Sequence, residues 1–240
     1  MPIKYTEDQI REKARDALKA PETLYKQGFV NDTTPDYTEI AAQAILDGIE
    51  HLENIKAITR SNTYNVPHIG KSTTGRTSEE SNQREKHIAM GMLHATYDHI
   101  GEILNYEVPL KDKRADLAGK IDLFAWDEAS QSLSVLELKS PSCKETLLRA
   151  VLEVFTYWKT ADHDKLKADF GKPSTAKLRK GILIFEGKAS NPHREFMGLD
   201  DASPIKQLMG KLEVDVYVLT GEPPRVARGL RWEGGKLAVL

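Results

Sequence analysis

The chain has 240 residues, of which 40% are hydrophobic and 29% are charged, and its formal net charge is -2. A chain of this length can bury a sizeable core without disulfides or metal ions as staples. The near-balance of charge excludes a protein whose whole surface traps polyanions, such as a histone-like nucleic-acid binder, but it allows a local basic groove.

The sequence shows no signal for a membrane or an oxidising compartment. No apolar stretch approaches the length needed to span a bilayer, and the first 16 residues lack the basic-then-apolar pattern of a secretory signal. The lone Cys143 cannot form an internal disulfide. We therefore expect a cytoplasmic protein with no membrane role.

The first third of the chain has the pattern of a helical extension. Thr6 and Gln9 have the spacing of a capping box, which predicts a helix beginning at Thr6. An apolar stripe predicts a second helix over residues 36–58. Residues 60–82 are rich in Ser, Thr, Asn and Gly without periodicity, as is typical of a long exposed loop. We assign residues 1–78 to an N-terminal helical extension and loop.

Residues 79–240 form the second predicted unit, a domain with alternating helices and strands. The patterns predict, in chain order, a helix over 79–104, strands over 106–110, 120–126 and 133–139, a helix after Pro141, and strands over 181–185 and 214–220. A polar turn makes the second and third strands a hairpin, and Gly234 and Gly235 indicate another hairpin near the C-terminus. Ser142 and Glu145 have capping-box spacing at the start of the second helix.

Two segments concentrate basic side chains and are candidates for a local groove. They are Lys71, Arg76, Arg84 and Lys86 in and after the polar loop, and Lys165, Lys167, Lys172, Lys177, Arg179 and Lys180 farther along. A solvated surface explains each segment equally well.

The hairpin brings together two carboxylates and an ammonium. Strand alternation places Asp122 on one face of its strand, and Glu137 and Lys139 on one face of the partner strand. Two acidic groups on the apolar middle of a sheet repel each other unless a cation occupies the gap. Oxygen from Asp122, from Glu137 and from the backbone carbonyl of Leu138 suits Mg²⁺, with Mn²⁺ as an alternative.

This grouping predicts phosphodiester hydrolysis. A metal ion activates water and stabilises charge on the phosphate, and the ammonium of Lys139 can hold the attacking water or neutralise the developing charge. Asp122, Glu137 and Lys139 are thus the predicted catalytic residues.

The residues GKIDLFAW at 119–126, followed by LSVLELKS at 133–140, resemble the PD-(D/E)XK nuclease superfamily. That resemblance implies an α/β fold, a restriction-endonuclease-like core with a mixed central sheet flanked by helices in the order α-β-β-β-α-β. It also implies metal-dependent cleavage of DNA by an endonuclease or exonuclease.

The resemblance implies further site residues. The superfamily often has an acidic ligand on its first helix, and Glu85 occupies that place beside Ile88 and Met92. The helix after the E-x-K often presents polar residues to the site, and here Arg149, Glu153 and Tyr157 recur every four residues. Arg149 and Tyr157 are candidates for substrate binding, whereas the superfamily more often has Gln or Lys where Glu153 stands.

Alternatives stay open at the level of function. The chain could be a catalytically silent nucleic-acid-binding or interaction module of the same fold, or a nuclease subunit that needs a helicase or methyltransferase partner. RNA is not excluded as substrate, and cleavage of both strands of a duplex commonly calls for a homodimer.

Three other motifs are rejected as catalytic signals. Gly70, Lys71 and Ser72 resemble the end of a phosphate-binding loop, but Asn65 stands where the earlier glycine is needed. His94 and Asp98 have metal-compatible spacing without further ligands. Cys143 has no local histidine base.

Overall fold

An eight-stranded mixed sheet organises the chain in a computed structural model that describes residues 5–34, 36–68, 84–112 and 119–240. The strands lie across the sheet in chain order. They are β1 (Thr96–Tyr97), β2 (Gly101–Pro109), β3 (Lys120–Asp127), β4 (Ser132–Lys139), β5 (Lys177–Phe185), β6 (Val214–Thr220), β7 (Arg225–Glu233) and β8 (Lys236–Val239). β4, β5 and β6 are parallel, and the other neighbouring pairs are antiparallel.

Helices precede the sheet, connect its parallel strands and cover its faces. They are α1 (Glu7–Ala17), α2 (Tyr37–Leu46), α3 (Arg84–Met92), α4 (Leu147–Thr160), α5 (His163–Asp169), α6 (Asn191–Met197) and α7 (Pro204–Leu212), with 3-10 helices at Pro21–Lys26, Gly28–Asn31 and Ile49–Asn54. The fold is therefore mixed α/β. Among the described residues, no helix is both long enough and apolar enough to traverse a membrane.

The sheet separates two apolar layers because successive strand side chains point to opposite faces. One layer joins Phe124 and Val135 to Val151 of α4, and it also contains Ile10 and Ile45 from the N-terminal helices. The other layer packs the alternate strand residues against α3. The N-terminal helices thus bury their apolar faces in the same core as α4.

Several predicted elements are confirmed. Thr6 caps α1, and its side chain and that of Gln9 form the predicted capping box. β3 and β4 form the predicted antiparallel hairpin, and β6 has the predicted bounds. β7 and β8 pair around Gly234 and Gly235.

The predicted helix over 36–58 was wrong in length. α2 ends at Leu46, and a 3-10 helix begins at Ile49 after Gly48. Glycine weakens a helix through its conformational freedom, and a Cβ at Gly48 would lie 2.9 Å from the side chain of Leu18. The apolar stripe continued past the break because Leu52 and Ile55 are buried in the same layer.

The predicted helix over 79–104 was also too long. Its first residues, 79–83, lie outside the described residues, and α3 ends at Met92. His94 has a positive φ of 64°, which ends the right-handed helix, and Ile103 lies on β2. Met92 and Ile103 are both buried in the α3 layer, so their apolar spacing resembled one helical face.

The predicted capping box at Ser142 and Glu145 was wrong. α4 begins at Leu147, and the hydroxyl of its N-cap Thr146 accepts a hydrogen bond from the backbone N–H of Arg149 at 3.2 Å. Ser142 accepts a hydrogen bond from Arg84, and Glu145 binds Lys139. Ser142 and Glu145, which the local pattern assigned to a helix cap, therefore form contacts with residues of other elements instead.

Replacing Thr146 tests how α4 is anchored. Its buried hydroxyl caps the helix and donates to the carbonyl of Val30. We expect Thr146→Ala to lower the free energy of unfolding by about 1–3 kcal/mol, because a cap and a buried hydrogen bond are both lost. Urea unfolding measures this change, and Thr146→Ser, which retains the hydroxyl, is the matched control. Equal losses in the two variants would contradict the capping role.

Candidate active site at the ends of β3 and β4

The site lies where the β3–β4 ladder ends. The paired register runs from Asp127 opposite Ser132 to Leu123 opposite Leu136. The next residue beyond that last pair is Asp122 on β3 and Glu137 on β4. The two predicted carboxylates therefore face each other at the point where the strands stop pairing.

A side chain replaces the backbone ladder at this point. The carboxylate of Asp122 accepts a hydrogen bond from the backbone N–H of Leu138 at 3.0 Å. The N–H and C=O of one residue point to the same side of an extended strand, so the carbonyl of Leu138 is also directed toward β3. The three predicted oxygen donors thus border one gap.

Lys139 is buried among carboxylates. Its Nζ lies 2.7 Å from Oε1 of Glu137, 2.6 Å from Oε2 of Glu145 and 3.2 Å from Oε2 of Glu153. Only 3% of its side chain is exposed, whereas the side chain of Glu145 is 29% exposed. Glu137 and Glu153 therefore hold the ammonium from inside, and Glu145 closes it from the solvent side.

Helix α4 supplies the outer part of this network. The hydroxyl of Tyr157 donates to Oε1 of Glu153 at 2.9 Å. Nη2 of Arg149 lies 3.1 Å from Oε1 of Glu145. The spacing of four residues brings Arg149, Glu153 and Tyr157 to one face of the helix. The structure thus places the two predicted substrate-binding residues beside the predicted catalytic residues.

Glu85 lies beside the end of β4. In the first turn of α3, its carboxylate accepts a hydrogen bond from the backbone N–H of Ser140 at 3.0 Å. It also helps to raise the pKa of Asp122, so its charge acts on the site. Glu85 therefore approaches the cluster from the face of the sheet opposite α4.

The acidic groups raise one another's pKa values. Burial raises the pKa of Asp122 to about 7, with Glu85 and Glu153 adding to the shift, while Lys139 and the N–H of Leu138 oppose it. Burial and the charge of Asp122 raise the pKa of Glu137 well above its ordinary value. Negative charge at the site thus exceeds what the single ammonium neutralises.

The pKa of Lys139 shifts in the direction that preserves its charge. Burial lowers this pKa, but Glu137, Glu153, Glu145 and Asp122 raise it by more, so the net shift is well above the ordinary value. Lys139 therefore remains an ammonium throughout the physiological pH range.

Glu137 carries an unpaired oxygen. Oε2 of Glu137 is buried and has no hydrogen-bond partner among the described residues. A buried acceptor without a donor is costly, and a cation satisfies it. The donor set of Asp122, Glu137 and the carbonyl of Leu138 fits a hard cation such as Mg²⁺, with water completing the shell. Within the described ranges, however, no cluster of three or more His, Cys, Asp or Glu has the geometry to hold a metal ion.

The sequence interpretation missed one member of the network and doubted another. Glu145 was assigned to a helix cap, and Glu153 was noted only for its departure from the resembled superfamily. The spacing of four residues between Glu145, Arg149 and Glu153 was the available signal. It did not reveal that Lys139 would contact both Glu145, in the loop after β4, and Glu153, on α4 across the sheet–helix interface.

The two basic segments are extensively paired where the structure describes them. Arg179 lies 2.8 Å from Asp215 and Lys177 lies 2.7 Å from Glu233. Lys86 lies 2.9 Å from Glu107. Lys71 and Arg76 lie outside the described residues. The pairs of Lys177 and Lys86 lie at the surface, as a solvated face predicts, whereas the pair of Arg179 with Asp215 is buried, since Asp215 is only 1% exposed. A basic groove stays a prediction.

Comparisons of the chain with protein-family models, with curated proteins and with solved structures gave no significant match. The functional argument therefore depends on the geometry and electrostatics of the site.

Asp122 provides a pH test of this electrostatic crowding. Its folded pKa of about 7 exceeds the ordinary value of 3.8, so the folded state retains a proton that the unfolded state loses. Stability from this group is consequently lost as pH rises from about 4 to about 7. In a metal-free buffer at pH 8, we expect Asp122→Asn to be more stable than wild type by about 1–3 kcal/mol.

Urea unfolding across this pH range measures the effect. The amide oxygen of the variant can still accept the hydrogen bond from Leu138, which isolates the charge. Asp164→Asn is the control because the side chain of Asp164 is 93% exposed. If the free energy of unfolding depends on pH in the same way for wild type and Asp122→Asn, the pKa of Asp122 is not raised by burial and neighbouring carboxylates.

Proposed function

We propose that the chain is a nuclease that hydrolyses phosphodiester bonds in DNA with Mg²⁺ held by Asp122, Glu137 and the carbonyl of Leu138. The observation that carries this proposal is the unpaired, buried oxygen of Glu137 opposite Asp122, next to a buried ammonium. Two carboxylates that face each other in a sheet, one of them paired with a buried lysine, suit a phosphate ester and a hard cation better than a neutral substrate.

The protein's own groups divide the work around the phosphate. When bound, Mg²⁺ supplies Lewis-acid stabilisation of the phosphoryl oxygens and lowers the pKa of a water ligand. Lys139, held protonated by its carboxylate neighbours, stabilises the negative charge that develops on the phosphate. Glu137 and Glu153 fix the position of its Nζ. Glu85 on α3 would be a weaker ligand that contacts the cation through water.

The order of elements supports the restriction-endonuclease-like core within this proposal. Apart from the two-residue strand β1 before β2 and the short helix α5 after α4, the elements α3, β2, β3, β4, α4 and β5 follow the order of a helix, three strands, a helix and a strand. Asp122 stands on the second of those strands, and Glu137 and Lys139 stand on the third. The three residues thus occupy the strands expected from the resembled superfamily. Because that resemblance implies cleavage of DNA, we prefer DNA as the substrate.

A catalytically silent nucleic-acid-binding module is the second candidate. Two observations favour it: the absence of a three-residue metal cluster within the described ranges, and the enclosure of Lys139 by three carboxylates. Metal binding distinguishes the candidates, because the gap between Asp122 and Glu137 takes up Mg²⁺ in a nuclease and stays without it in a silent module.

Metal binding is tested by thermal unfolding with and without MgCl₂. Ligand binding to the folded state alone stabilises it by about 2.7 kcal/mol at a hundredfold excess over Kd. We expect Mg²⁺ to raise the Tm of wild type much more than the Tm of Glu137→Gln, because the neutral amide removes one of the two negative charges that attract the cation. Glu233→Gln, an exposed change on β7, should respond as wild type does. Equal responses in all three proteins would place the metal elsewhere.

Catalysis is tested on plasmid, linear duplex, single-stranded DNA and RNA with Mg²⁺ or Mn²⁺. We expect wild type to cut DNA and expect Glu137→Ala and Lys139→Met to lose at least about 100-fold in rate, since each removes charge stabilisation in the transition state. Circular dichroism must show that the variants remain folded, because Lys139→Met leaves buried carboxylates without their counter-ion.

Other outcomes redirect the interpretation. Cleavage that persists in both variants would point to a contaminant or to a different site. Metal binding without cleavage would indicate that the chain needs a partner, such as a helicase or methyltransferase subunit, or a homodimer. Neither metal binding nor cleavage would favour the silent module.

A further inference from the structure

A cavity of about 430 Å³ adjoins the candidate active site on the α4 side of the sheet. Tyr157 belongs to both, because its side chain lines the cavity and its hydroxyl donates to Glu153, which holds Lys139. The cavity and the catalytic cluster therefore share a wall.

Aromatic and apolar groups form the inner surface of this cavity. The rings of Tyr25 and Tyr157 meet edge to face with centroids 5.7 Å apart, and Leu110 lies beside them. Gly119, just before β3, also lines the cavity, and a Cβ there would lie 2.3 Å from the hydroxyl of Tyr157. Only glycine permits the backbone to approach so closely, which keeps β3 against this wall.

The mouth of the cavity is polar and carries more positive than negative charge. Lys26, Lys56 and Asn54 are exposed there, and Glu22 is the acidic residue of the lining. The ammonium of Lys26 lies 5.3 Å from the ring centroid of Tyr25, so charge and aromatic surface are adjacent. An apolar, aromatic interior behind a cationic mouth is complementary to a nucleotide, whose base is flat and whose phosphate is anionic.

We propose that this cavity binds one unpaired nucleotide of the nucleic-acid substrate, next to the phosphate that is cut. The inference rests on the proposed nuclease function and specifies its substrate: a single strand, or a duplex frayed at the cleavage point. Bases inside a duplex are stacked and paired, and their entry requires unstacking that costs a few kcal/mol. The cavity therefore selects against intact duplex.

Binding is measured without cleavage, by fluorescence anisotropy of a labelled short oligothymidylate and of a matched duplex, in EDTA and at low salt. We expect wild type to prefer the single strand. Lys56→Glu should weaken single-strand binding about tenfold by removing a phosphate contact. Lys56→Arg retains the positive charge and should bind the single strand about as tightly as wild type does. Asn54→Trp should obstruct the mouth and weaken binding similarly. All these positions are exposed, so the fold is not at risk.

Lys236→Glu, at the edge strand β8, is the control for net charge and should bind nearly as wild type does. Equal affinity of wild type for single strand and duplex, or unaltered binding by both Lys56→Glu and Asn54→Trp, would overturn the cavity assignment. That result would not contradict the proposed metal-dependent cleavage. If wild type prefers the single strand and Asn54→Trp loses that preference, nucleotide binding in the cavity is supported. This conclusion holds even if wild type does not cut DNA and the proposed nuclease activity fails.

Discussion

The burial of Lys139 among carboxylates is the constraint on which the rest of the site depends. An isolated buried charge is strongly unfavourable, and a buried ion pair is tolerated only with close partners and full hydrogen bonding. Glu137, two residues away on the same face of β4, meets part of this need, and Glu145 and Glu153 meet the rest. The contact of Lys139 with Glu153 therefore requires a close, fixed separation between β4 and α4.

The same arrangement leaves the acidic side in excess. Asp122 ends the β3–β4 ladder by taking the N–H of Leu138 with its side chain, which opens a gap next to Glu137. The raised pKa of Asp122 and the unpaired oxygen of Glu137 are two consequences of one geometry. At neutral pH this crowding of carboxylates destabilises the fold, and in the proposed function a bound cation would relieve that repulsion. Strongly shifted pKa values of this kind are common at functional sites. The cavity behind Tyr157 adjoins this gap, and we propose it as the place for part of the substrate.

Local patterns predicted the hairpin and its three site residues because both depend on short-range rules. Alternation with a period of two is set by the strand itself, and the polar turn between β3 and β4 sets their pairing. The helix boundaries were less accessible. Ile103 continued the apolar spacing of α3 from a different strand, and Gly48 divided α2 from a 3-10 helix whose residues stay buried. The spacing of apolar residues shows which residues are buried. It does not show where one element ends, because two separate elements can be buried in the same layer.

The sequence by itself determined an α/β chain with an acidic, lysine-containing hairpin, since residue type and strand alternation place Asp122, Glu137 and Lys139 without reference to the rest of the chain. Only the tertiary structure decided which groups surround them. Glu153 of α4 reaches Lys139 across the sheet–helix interface, and Tyr25 meets Tyr157 from a segment far away in sequence. Contacts between distant segments depend on how whole elements pack, and side-chain spacing within one element carries no record of that packing.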